Sequence, residues 1–320
     1  MPTSRDPMFQ GRKLRAILRR TREEAGHTQR EVASEMDWSL SKLIRIESGQ
    51  VKISTTDLRA LLAYYHVTDR GHVDEFVQMA RAAKQRSWWF PYRNLITPEF
   101  RVLLGYEAAA DVMRTFEPLL VPGLLQTEEY ARASLQIVGE RATAPFDVEG
   151  LVSLRLERQE RIMRPDGQTM HFIIDEAVIR RQVYGPVDVR GRSADSQGLM
   201  REQIRRLQEV MEWPNLTLRI VPFDVGLYTR SRIAYVLLEF PEVEQETVLF
   251  IETVTDDVVI RESNDDESEL ISPVSYLETF WQLEQLAPID ATPGLLEDAL
   301  AGLRDRRNTA PPATEPPTGQ

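Results

Sequence analysis

In SLSKLIRIESG, Ser39 to Gly49, polar and apolar side chains recur at a spacing that a helix sorts onto separate sides. At about 100° per residue, Leu43 and Ile46 fall together, Ser41 and Arg45 face the opposite way, and Leu40 and Ile44 lie on the flank between. The outward pair has the more telling chemistry. An arginine guanidinium donates two parallel hydrogen bonds to adjacent acceptors such as O6 and N7 of guanine, and a serine hydroxyl serves several bases as donor or acceptor. Leu40 and Ile44 either meet a thymine methyl or close over the core behind them.

Elsewhere the chain is poor in nucleophiles and soft ligands. It has no cysteine, which excludes disulfides, thiolate catalysis and sulfur-based zinc sites, and its four histidines, His27, His66, His72 and His171, are scattered. Asp175 and Glu176 adjoin at the end of the apolar run HFIIDE, with His171 four residues before Asp175. Neighbouring strand residues point to opposite faces, so the two carboxyl groups are poorly placed to share a substrate. An N-cap role for Asp175, with Glu176 in the first turn of the helix EAVIRRQV, explains both. The glycines of GPVDVRGRSADSQG lack phosphate-loop spacing, and no G-x-G-x-x-G or H-E-x-x-H occurs. No catalytic residue, cofactor or metal is expected, and the chain does not read as an enzyme.

An outward-facing helix needs a scaffold behind it. Residues 10 to 83 carry the pattern of five short amphipathic helices, with no convincing alternating strand. Gly26 ends the first, Thr28 to Glu31 is a capping box, Ser39 caps the third, Gly49 stops it and Ser54 to Asp57 opens the fourth. Between Thr28 and Gly49 two capped helices flank a three-residue turn, with the small Ala33 where another helix must pass close. The stretch SWWFPYRNLITPEF then reads as a packed linker over residues 86–100. Beyond it, Leu103 to Met113, Glu128 to Val138, Glu149 to Met163, Gln197 to Trp213 and Glu267 to Leu286 read as helices. HFIIDE, LTLRIVPF, IAYVLLEF, TVLFIET and DVVIRE read as strands. The predicted architecture is an all-α domain at 1–85, a mixed α+β domain at 101–303 and a disordered, proline-rich tail at 304–320.

The formal net charge of -11 is unevenly divided. Met1 to Arg93 holds 17 Lys and Arg against 11 Asp and Glu, whereas the remainder holds 22 against 39. A modestly basic N-terminal part can meet phosphates, because at physiological salt the field of a distant acidic region is screened within about 8 Å. SNDDESE, Ser263 to Glu269, reads either as a solvated loop and cap or as an acidic surface for a basic partner. The arginines of RLERQERIMR and REQIRRLQEVMEW alternate with acids at helical pairing distance. No run approaches the roughly 18 apolar residues that cross a bilayer, and the N-terminus lacks a secretory pattern, so a soluble cytoplasmic protein is expected.

From the first helix to Thr68 the sequence resembles the XRE-type, phage-repressor-like regulators, which implies a lambda-repressor-like helix-turn-helix domain that binds double-stranded DNA. Two departures stand in the turn, where Asp37 takes the place of the usual glycine and Trp38 that of a smaller aliphatic. The resemblance places base-reading positions at Ser39, Leu40, Ser41 and Arg45 with Lys42 beside them, and a phosphate contact at Gln29; Lys52 is placed for a phosphate too. It also implies that Glu47 is structural and pairs with Arg22.

From Trp88 to Ala287, PGLLQTEEYAR, SLRLERQERI, FIIDEAVIRRQV, NLTLRIVPFDVG and SYLETFWQLEQLA resemble a domain of unknown function attached to such regulators in actinomycetes. Members are described as toxin-antitoxin-like, which implies a small companion protein encoded nearby. The expected function is sequence-specific transcriptional regulation, with the protein acting as a homodimer on an operator. Two alternatives stand beside it: an antitoxin-like interaction module that autoregulates, and a small-molecule-responsive regulator whose pocket draws on Trp213, Phe223, Tyr228, Tyr235, Phe250 and Trp281.

Overall fold

The computed structural model describes residues 6–139, 146–183, 196–240, 246–252, 257–261 and 271–305. They divide into two compact units, one running to Asp111 with a short return at Glu239–Glu246, the other comprising Val112–Leu238 and the chain from Thr247 onward. Among the described residues no helix is long and apolar enough to cross a membrane.

The first unit contains the five expected helices, α1 (Pro7–Glu24), α2 (Gln29–Glu35), α3 (Leu40–Glu47), α4 (Thr55–Tyr64) and α5 (Arg70–Ala82). Their ends are set by local chemistry. Thr28 and Glu31 form the reciprocal capping box, Ser39 and Ser54 accept from the backbone amides of Lys42 and Asp57, and Gly26 and Gly49 stand at φ 75° and 83° just past α1 and α3. Leu14, Leu18, Val32, Leu43, Ile46, Leu58, Leu61, Leu62 and Val77 meet in one core. The first helix starts earlier than residue 10, because Asp6 accepts from the Met8 amide at 2.8 Å and Pro7 is suited to the first helical position.

After the five helices comes the stretch read as a linker. The linker is packed around a 3-10 turn at Phe90–Tyr92 with Trp89 buried, but a sixth helix, α6 (Pro98–Glu107), begins inside it and belongs to the first unit. Close approach to α1 is the reason. A Cβ on Gly105 would lie 3.0 Å from the Met8 sulfur, and the Phe9 and Tyr106 rings meet edge to face at 6.1 Å. By its contacts α6 groups with the first unit, and the second runs from Val112.

Its centre is a six-stranded mixed sheet ordered β3-β2-β1-β4-β5-β6, with strands β1 (Val112–Glu117), β2 (Thr169–Asp175), β3 (Leu216–Val221), β4 (Ala234–Phe240), β5 (Glu246–Glu252) and β6 (Val258–Arg261). β1, β2 and β3 run parallel, and β5 and β6 antiparallel. Five strands lie where the sequence places them; β1 does not, since Leu103 to Met113 read as one helix. That helix ends at Glu107 and the chain enters the middle of the sheet. Flanked on both sides, β1 buries Met113, Thr115 and Phe116, and so lacks the alternation that marks a half-exposed strand.

Around the sheet stand α7 (Glu128–Gly139), α8 (Val148–Ile162), α9 (Glu176–Arg180), α10 (Ser196–Met211), α11 (Pro273–Leu286) and α12 (Thr292–Asp305). α11 starts at Pro273 rather than Glu267, because Ser272 is extended and caps it. α12 was not expected as a helix. It starts on a Pro-Gly pair that reads as coil, yet buries Leu296, Ala299 and Leu303 and packs on α10 and β3. It runs to Asp305, two residues into the segment read as tail; residues 306–320, the acidic run Ser263 to Glu269 and most of GPVDVRGRSADSQG lie outside the described residues.

His171 on β2 carries a pH signature. Burial, and then the Arg114 and Arg219 guanidinium groups, lower its pKa to about 4, with Glu284 3.9 Å from its Nδ1. Between that value and an unfolded value of about 6.5 the unfolded chain binds the extra proton, so stability falls as pH drops through this window, by about 1.4 kcal/mol per unit. Thermal melts from pH 7 to pH 4 should be flatter for His171→Gln than for the parent; parallel curves would refute the assignment.

Candidate nucleic-acid interface

Helix α3 sends Leu43 and Ile46 into the core and leaves Leu40, Ser41, Ile44 and Arg45 exposed. Of the apolar pair, Leu40 keeps 37% and Ile44 43% of its surface accessible. Arg45 lies along the helix with its Nε donating to the Ser41 carbonyl at 3.3 Å. Ser39 spends its oxygen on the Lys42 amide, at 3.2 Å, as the helix cap. Lys52 is exposed in the loop after α3, beside Val51, another exposed apolar residue that the sequence did not single out. The turn before α3 holds Asp37 at φ 53°, the left-handed conformation for which a glycine is usual.

Two polar residues assigned to DNA are engaged inward. The Gln29 amide donates to Glu47 Oε2 at 2.7 Å, and the Lys42 ammonium sits 3.3 Å from Asp57 and 3.9 Å above the centre of the Trp38 ring. Asp57 and Trp38 were missed as its holders. The signal was available for Trp38, four residues before Lys42, but not for Asp57, which arrives from the next helix.

Behind the exposed row, Arg22 Nε and Nη2 donate to the two oxygens of Glu47 at 2.8 and 3.3 Å, and Nη1 donates to the His27 carbonyl at 3.0 Å. The two side chains are only 8% and 9% accessible. This is the pairing the resemblance implied, and Gln29 joins it. Burial, and then the Glu47 charge, push the neighbouring Tyr65 phenol above its ordinary pKa. Removing one partner of a buried pair strands the other charge, at a cost of about 3–5 kcal/mol. Glu47→Ala should lower the unfolding free energy of the helical unit by that amount in urea melts, and Arg22→Met with Glu47→Leu should recover much of it. A loss below about 1 kcal/mol would class the pair with solvent-exposed ones.

The other residues weighed for chemistry have structural partners. Asp175 caps α9 through the Ala177 amide at 2.8 Å and accepts from the Tyr228 hydroxyl at 2.6 Å; Glu176 accepts from Arg180 and from the Phe223 amide, both at 2.9 Å. The six aromatic residues differ in their surroundings: Tyr235 and Phe250 are buried, Phe223 and Trp281 are exposed, Tyr228 meets Phe116 edge to face at 6.1 Å, and Trp213 lies under Arg206. PGLLQTEEYAR is a backbone turn satisfied by side chains. Gln126 donates to the Val121 carbonyl, Gln159 to those of Gly123 and Gln126, and Gln203 to that of Leu125, while Gln203 also accepts from the Thr127 amide, all at 2.7–2.9 Å. No spacing in the sequence announces Gln203, because it comes from α10.

Two family profiles match this chain. One, for a helix-turn-helix domain, covers residues 13–76, the span that contains the α2–α3 pair and the exposed row. The other, for a domain of unknown function, DUF5753, covers residues 100–268, more than half of the chain. No curated protein and no solved structure matches it. The chain thus carries a helix-turn-helix domain and belongs to the DUF5753 family.

Proposed function

We propose that this protein is a cytoplasmic, sequence-specific transcriptional regulator of the XRE type and not an enzyme. Helix α3 enters the major groove of an operator, Ser41 and Arg45 read base edges, Leu40 and Ile44 meet thymine methyl groups, and Gln29 and Lys52 hold phosphates. What carries the reading is the division of α3: its inner face is locked into the core while Leu40, Ser41, Ile44 and Arg45 stand together outside. The surplus of basic residues in the first 93 supports it. Gln29 and Lys42 reach DNA only by exchanging their present partners, so Arg45 is the main base reader and Lys42 a secondary contact. A reader this small buries little surface, and two copies on half-sites about 34 Å apart would supply the rest, hence a homodimer.

Titration of selected operator DNA tests the assignment. Arg45→Ala should relax base preference at one position by about 1–3 kcal/mol. Lys52→Ala should weaken all sequences alike and lower the slope of log affinity against log salt by about one. If both variants bind like the parent, α3 is not the reader.

The second unit favours a partner-binding role beside this. Val274 and Trp281, seven residues apart on α11, are 47% and 48% accessible, with Ile271 exposed just before them. A row of that kind suits an antitoxin-like contact with a small companion protein. A companion that co-purifies with the full chain should be lost with Trp281→Asp; retention would remove α11 from the contact.

A further inference from the structure

Lysine is rare in this chain: Lys13, Lys42, Lys52 and Lys84 are the four among 39 lysines and arginines. One of them stands on α3, and it is held from two directions. The Lys42 ammonium lies 3.9 Å above the centre of the Trp38 ring, from the turn before α3, and 3.3 Å from the Asp57 carboxylate, from α4. Both holders are fixed. Trp38 packs against the core of the helical unit, and Asp57 stands in the first turn of α4, where its amide donates to the Ser54 hydroxyl at 2.9 Å. The hold is nevertheless open to solvent, since the Lys42 and Asp57 side chains keep 35% and 33% of their surface, against 8% and 9% for Arg22 and Glu47. An ion pair that exposed holds its partner by a factor of about two to five, so it is exchangeable, whereas the buried pair is not.

Exchange needs a competing anion, and a DNA duplex offers one phosphate about every 1.7 Å of its axis. A lysine suits the task. Its ammonium is a point charge on a flexible stem, and it passes from carboxylate to phosphate without the two-bond geometry that an arginine would give Asp57. We propose that Trp38 and Asp57 form a holder that keeps Lys42 from DNA until a phosphate displaces the carboxylate, and that Asp57 thereby sets a sequence-independent limit on affinity. Affinity is lowered by the fraction of the free protein in which Lys42 is available, hence by about the same factor. Base preference is untouched by the exchange, because a phosphate carries no sequence information. The holder stands on contacts within the protein; the exchange rests on the DNA reading proposed above.

Lysine labelled with carbon-13 at Cε gives four side-chain signals in the full chain, assigned by substitution. In the free protein the Lys42 ε-methylene protons should lie upfield of the other three, shifted by the Trp38 ring, and should return toward them when selected operator DNA is added. An ordinary Lys42 signal in the free protein, or one that DNA leaves in place, would overturn the proposal. In titrations, Asp57→Asn should tighten binding of the operator and of an unrelated duplex alike, by about two- to fivefold. Lys42→Gln should lower the slope of log affinity against log salt by about one, and Asp57→Asn added to it should bring no gain. A gain that persists in that background means that Asp57 repels phosphates directly, and no gain in the single variant means that it holds nothing back; either result overturns the holder. Should Asp57→Asn fail to fold, the Lys42 signal with and without DNA and the salt slope of Lys42→Gln decide. A parent that binds no duplex refutes the DNA reading and the exchange with it, whereas a parent that binds DNA with its Lys42 signal unmoved refutes the exchange alone.

Discussion

The orientation of α3 rests on one buried pair of opposite charges. Arg22 comes from the last turns of α1 and Glu47 from the end of α3, 25 residues apart, so their contact ties the first helix to the far end of the third. Neither ion could be buried alone, because a desolvated charge costs several kcal/mol unless it is paired and its remaining hydrogen-bonding capacity filled. The His27 carbonyl takes one guanidinium donor and the Gln29 amide takes part of the carboxylate. Three helices therefore converge on Glu47, and the outward row on α3 is aimed from behind. With Leu43 and Ile46 packed on the same side, the helix cannot rotate about its axis without breaking both the charge pair and the core.

The second unit solves a different problem by comparable means. The chain leaves β1 and must turn into α7 beneath neighbouring elements, where backbone amides and carbonyls have little access to water. Gln126, Gln159 and Gln203 bring donors and acceptors to that turn from the turn itself, from α8 and from α10. Glutamine suits the task, since one side chain both donates and accepts, as Gln203 does between Leu125 and Thr127. The phrase PGLLQTEEYAR is thus distinctive because it is the part of a polar network that happens to be contiguous in sequence.

A short loop, Gly49 to Ile53, follows the exposed row. Ile53 faces the core, Val51 and Lys52 face outward, and Gly49 lets Arg15 lie against the backbone. The amide of Val51 is held by the Arg45 carbonyl at 3.0 Å, so the loop continues directly from the helix that carries the outward arginine. Charge is divided as well: basic residues are in surplus up to Arg93, and the excess of acid lies beyond.

The parts legible in advance were those with a local cause. Helical periodicity placed α1 to α5, side-chain oxygens three residues before an amide placed the caps, and the opposition of Leu43 and Ile46 to Ser41 and Arg45 followed from the geometry of a single helix. β1 escaped because burial on both faces erases alternation, and α12 because a Pro-Gly start outweighs an apolar row that shows its purpose only against α10 and β3. The close approach of α6 to α1, where Gly105 meets Met8, is recorded by no local pattern. At the interface the same line divides the residues. The sequence by itself determined which side chains α3 turns outward, because a helix fixes that within a few residues. Only the tertiary structure decided that Leu40 and Ile44 stay exposed and that Gln29 and Lys42 are already engaged, because each depends on partners brought together from distant positions in the chain.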